Sequence, residues 1–103
     1  MNRIEQLYEF LKNDPKDNFV RHSLALEYIK IGDDLKARIL LEEILTDSPN
    51  YVGSYYQLAK LLERLNQISL AIEWYEKGMH AAKMEGDMHA YNELQLAYEE
   101  LIY

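Results

Sequence analysis

The chain has 103 residues, enough for one domain with a real apolar core, since 49% of its residues are hydrophobic. It contains no cysteine, which excludes thiol chemistry, thiolate metal sites and disulfides. Eighteen acidic residues against eleven basic ones give a net charge of −7, which argues against a nucleic-acid partner.

Four glycines, two prolines and many Leu, Ala, Glu, Lys and Tyr residues favour helices, and apolar residues recur at spacings of three and four. The first helix is predicted near residues 2–13. Its start, MNRIEQLYEFLKND, is charged every few residues and lacks the apolar stretch of a signal peptide. No run approaches the roughly 20 apolar residues of a membrane span, so the expected place is the cytoplasm. NDPKD separates this helix from the second, near 17–31, whose core stripe reads Val20, Leu24, Ala25, Tyr28 and Ile31. A second apolar stripe on the same helix runs Phe19, His22, Leu26, Ile29. A helix apolar on two faces is either sandwiched or offers one face to a partner. After IGDD, a third helix is predicted near 34–47, with Asp33 as its cap and Gly32 supplying a left-handed turn.

DSPN introduces the fourth helix, near 52–66, with the stripe Tyr55, Leu58, Ala59, Leu62 and Leu65. Tyr55 lies on that stripe and reads as core, whereas Tyr56, about 100° round the helix, aligns with Lys60 and Glu63. LNQIS and MEGD delimit a fifth helix near 69–84 and a sixth near 87–102. Met79, Met84 and Met88 are expected to pack adaptably under the last helix, with a sticky edge as the alternative. That helix carries Met88, Tyr91, Leu94, Tyr98 and Leu101 on one side and Leu96, Ile102 and Tyr103 off it. The surplus offers a surface for self-association.

A repeat underlies these elements. Pro15 and Pro49 are 34 residues apart. The same step places Leu24-Ala25 on Leu58-Ala59, Lys30 on Arg64, Ala37 on Ala71, Leu41 on Tyr75 and Glu42 on Glu76. Gly32 falls on Asn66, the next best residue for a left-handed turn. The alanines are small where two helices must cross closely. Short breaks imply antiparallel neighbours.

This pattern resembles the tetratricopeptide repeat family, on Leu24, Ala25, Tyr28, Gly32, Ala37, Leu41, Ile44 and Pro49 in one unit. The next unit carries Tyr55, Leu58, Ala59, Leu62, Ala71, Tyr75 and Gly78. Departures are Arg21, where the family prefers a large apolar residue, Lys83 in place of a proline, and Asn92-Glu93 where Leu-Ala would stand. The resemblance implies an all-α α-solenoid of about six helices, a right-handed stack of antiparallel helix hairpins. The expected division is a half-repeat 1–17, repeats 18–51 and 52–85, and a capping helix 86–103, in a single domain.

By the same resemblance, the first helix of each unit lines a concave groove that binds a peptide or protein. The implied site is Phe19, His22, Leu26 and Ile29, continued by Tyr56, with Lys30, Lys60 and Arg64 as a positive edge. The competing reading folds the first or last helix over that stripe and buries it. His22 and Leu26 stand where some relatives place Lys and Asn to clamp an acidic tail, so that ligand does not fit. No cofactor is implied. His80, Glu85, Asp87 and His89 lack metal-ligand spacing, and the adjacent pairs Glu42-Glu43 and Glu99-Glu100 diverge on their helices. The expected function is non-catalytic protein interaction; homodimerisation is the alternative, and a metal-dependent enzyme is a distant third.

Overall fold

A computed structural model describes residues 2–103 and contains six helices: α1 (Arg3–Asn13), α2 (Asn18–Lys30), α3 (Asp34–Asp47), α4 (Gly53–Arg64), α5 (Ile68–Glu85) and α6 (Met88–Ile102). No strand occurs among the described residues. Met1, the first residue of the expected half-repeat, lies outside them. The contacts divide the helices into two units, one ending at Ser48 and the other running Pro49–Tyr103.

Local chemistry sets the helix ends. Asn2, Asp17, Asp33 and Asp87 each accept a hydrogen bond from the backbone N–H three residues on, which satisfies donors that a helix start leaves unpaired. Three helices stop by one device. Gly32, Asn66 and Gly86 take φ of 82°, 61° and 69°. The next residue's N–H then reaches back to Tyr28, Leu62 and Ala82 carbonyl oxygens, each at 2.8 Å.

In the first unit α2 packs on α3 and α1 on α2. Leu7, Leu24, Ala25, Tyr28, Ala37, Leu41, Ile44 and Leu45 form its core. Tyr8 and Tyr28 share a hydroxyl–hydroxyl hydrogen bond of 2.8 Å that ties α1 to α2. Ile31 departs from its predicted place in the core and is 65% exposed. The helix ends at Lys30, so Ile31 leaves the helical path before its side chain can continue the stripe.

In the second unit α5 packs between α4 and α6, with α4 also touching α6. Ala71, Tyr75, Gly78 and Ala82 follow α5 inward at spacings of four, three and four. Gly78 permits the closest approach: a Cβ there would sit 2.6 Å from Tyr55 Cβ and 3.1 Å from Leu94 Cδ1. The predicted α4 stripe is buried as far as Leu62, but Leu65 is only half-buried, and Ser54 and Leu61 are fully buried beside it. Two of the three methionines depart from packing under the last helix, while Met79 is half-buried. Met84 is 72% exposed and Met88 is also exposed, because neither lies on the inward stripe of its helix.

Candidate functional site

The predicted site residues fall on the outward sides of α2 and α4, each within its own unit. On α2, Phe19 is 67% exposed, while His22, Leu26 and Ile29 are half-buried. Leu26 and Ile29 line a shallow depression of about 360 Å³ with Arg3, Ser23, Glu27 and Lys30. The start of α1 therefore borders this stripe but leaves Leu26 and Ile29 partly open. Burial holds the His22 imidazole below its ordinary value, because the charged form loses water there.

On α4, Tyr56 is half-buried, edge-on to Tyr75 with ring centroids 6.5 Å apart. The Lys60 Nζ lies 5.7 Å from the Tyr56 ring centroid. Tyr75 donates its hydroxyl to Glu63 Oε2, and burial together with that bond pushes the phenol far above its usual range. Arg64 is exposed at the end of the helix.

The predicted positive edge is partly neutralised. Lys30 lies 3.6 Å from Glu27, and Lys60 lies 3.7 Å from Glu63. Lys30 is exposed in its pair, whereas Lys60 and Glu63 are both half-buried. His80, Glu85, Asp87 and His89 do not converge: among the described residues no three His, Asp or Glu side chains are arranged to hold a metal ion.

Sequence reasoning missed an ion pair between a buried arginine and an exposed aspartate. Arg21 is 4% exposed at the position where the repeat pattern asks for a large apolar residue. Its guanidinium donates to Asp47 at 2.8 Å, to Asn18 Oδ1 at 2.7 Å and to the Lys16 carbonyl at 3.1 Å. It also missed a cleft at Tyr55 in the second unit. The signal for both was present in the 34-residue step, which sets Arg21 against Tyr55 and Asp47 against Ala81.

A sequence model of the tetratricopeptide repeat matches residues 52–82. The chain is 40% identical to a tetratricopeptide repeat domain protein from Salinibacter ruber, over 86% of this chain and 90% of that one, and that protein's solution structure superposes on this one with a TM-score of 0.82. A crystal structure of a tetratricopeptide repeat domain protein from the same organism matches at 40% identity and a TM-score of 0.80, over 82% of this chain and 94% of that one. A solution structure of a protein from Bordetella parapertussis shares 25% identity and a TM-score of 0.84, over 98% of this chain and 88% of that one. No curated protein matches. With its 34-residue period, its left-handed helix stops and its paired helices, the chain belongs to the tetratricopeptide repeat family.

Proposed function

We propose that this chain is a non-catalytic docking module that holds a peptide or protein segment against the outward side of α2 or that of α4, each a face of its own unit. The family is in general a protein-interaction fold. The carrying observation is the two-faced character of α2. Leu24, Ala25 and Tyr28 are buried on one side, while Phe19, His22, Leu26 and Ile29 keep an apolar stripe partly or largely open on another. Such a surface suits a segment with apolar anchors, with an acidic residue reaching Lys30 beside α2, or Lys60 or Arg64 on the α4 face. A small contact area implies weak binding, on the order of micromolar, unless several copies act together. An acidic, cysteine-free chain fits a reducing cytoplasm as its place of action.

The test is a cross-linking pull-down comparing wild type with Leu26→Glu/Tyr56→Ala and with Phe19→Ser. Phe19 is exposed, so its variant should keep wild-type helicity and melting while losing the captured partner. Capture undiminished in both variants refutes the docking faces.

A second reading is favoured by α6, whose Met88, Leu96, Ile102 and Tyr103 are all exposed. Burying them between two copies would make the protein self-assembling. Light scattering across a concentration range decides this: constant monomer mass removes it.

A further inference from the structure

We propose that the second unit carries another docking site, a cleft on the outer side of α5 that takes an apolar side chain flanked by basic residues. The cleft has a volume of about 550 Å³, within the roughly 300–1,000 Å³ of ligand sites. Pro49, Tyr55, Ala81 and Met84 line it with apolar surface. The Tyr55 hydroxyl is already engaged by the Pro49 carbonyl oxygen, which leaves the ring as its contribution. This cleft is distinct from the Tyr56 face of α4.

Its counterpart in the first unit shows what has changed. There Pro15, Arg21, Glu42, Thr46 and Asp47 enclose about 490 Å³ at positions 34 residues earlier. The Arg21 guanidinium and the Asp47 carboxylate give that cleft a charged lining, in contact at 2.8 Å. In the second unit tyrosine and alanine stand at those two positions, so the same backbone plan has an uncharged, apolar lining there.

The ends of this apolar surface are acidic. Glu76 and Glu85 both line the cleft and stand nine residues apart on α5, roughly 13 Å along a helix axis at 1.5 Å per residue. Among the described residues no cation lies within ion-pair distance of either. Glu76 accepts one hydrogen bond, from the Tyr98 hydroxyl at 3.2 Å. Lys77 and His80 also line the cleft, but Lys77 is turned to Trp74, with Nζ 4.5 Å from the ring centroid. An apolar surface between two carboxylates without cationic partners, on a chain of net charge −7, complements a partner peptide with Leu, Met or Phe between Lys or Arg residues.

The experiment is an NMR titration of the isotope-labelled full chain with synthetic peptides. One has a Phe anchor between lysines, one the same anchor between glutamates, and one Ser in place of the anchor between lysines. The first should shift amides around Tyr55, Ala81 and Met84 and saturate, with the other two at least about tenfold weaker. Met84→Lys and Glu85→Lys, both at exposed positions, should each weaken the first peptide by about tenfold while Phe19→Ser leaves it unchanged. The proposal is overturned if flanking charge makes no difference or if the shifts map elsewhere. Indole alone binding as tightly as the peptide overturns it, and so do the same shifts arising from protein concentration without peptide.

Discussion

The Arg21 guanidinium meets the Asp47 carboxylate at 2.8 Å, and 34 residues further on the same two positions hold the Tyr55 ring and the Ala81 methyl group. One unit therefore closes its α2–α3 hairpin with a charged contact, and the other closes its α4–α5 hairpin with apolar packing. A buried arginine is tolerable only with its donors satisfied, and here Asn18 and the Lys16 carbonyl complete the set apart from Nε. The pair fixes geometry more than it adds stability, because apolar groups of similar volume often do as well or better.

Transplanting the second unit's solution into the first tests this. Asp47→Ala leaves a buried guanidinium short of an acceptor and should lower the urea midpoint. Arg21→Tyr with Asp47→Ala should recover most of that loss or exceed wild type. The Arg21 hydrogen bond holds the Asp47 carboxyl below its ordinary 3.8. Its folded pKa is depressed, so its contribution is present above 3.8 and is lost as pH falls through the lowered value. The midpoint difference between wild type and Asp47→Ala should therefore shrink in acid.

Gly78 should tolerate no side chain. Its added Cβ would meet Tyr55 Cβ at 2.6 Å, and neither α4 nor α5 can move without disturbing the core. Gly78→Ala should cost about 1–3 kcal/mol by urea denaturation, the usual range for overpacking. Gly53, at the start of α4, has no atom within 4 Å of an added Cβ. Gly53→Ala should leave stability unchanged or raise it by up to about 1 kcal/mol.

The hydroxyl contact between Tyr8 and Tyr28 should govern how firmly α1 is held. Tyr8→Phe should cost about 0.5–1.5 kcal/mol, toward the low end because Tyr8 is half in water, with faster amide exchange concentrated in α1. The bond to Tyr28 pushes the Tyr8 phenol from 10.0 up to about 12. A raised folded pKa means the contribution is whole below 10.0 and fades as pH rises toward about 12. Ultraviolet titration of wild type against Tyr8→Phe should show one late-ionising tyrosine fewer.

His22 should destabilise the fold on acidification. Burial holds its imidazole below the ordinary 6.5, so below that pH the unfolded chain binds the proton more readily than the folded one. Its contribution is whole above 6.5 and declines as pH falls beneath it. NMR titration of the ring should give a midpoint below 6.5, and His22→Phe should flatten the stability profile between neutral and mildly acid pH.

Much of this architecture was legible residue by residue. Gly32 and Asn66 announced left-handed stops, Asp33 announced a cap, and the predicted helix bounds fall within one or two residues of those observed. Each of these depends on neighbours within one turn of chain. The 34-residue step set Arg21 against the core residue Tyr55, but its partner was not legible, because Asp47 lies 26 residues away. Nor were the exposure of Met84 or the burial of Leu61, which follow from where whole helices come to lie.

Periodicity, small residues at crossings and helix punctuation therefore specified the repeat and its family from composition upward, since backbone chemistry acts locally. Which faces stay open was decided by packing across long separations. Tyr55 stands on a core stripe and also lines a cleft, which is apolar at Tyr55 and Ala81 where the other unit has an arginine and a carboxylate. A side chain's polarity is written in the chain, but its exposure is a property of everything that packs beside it.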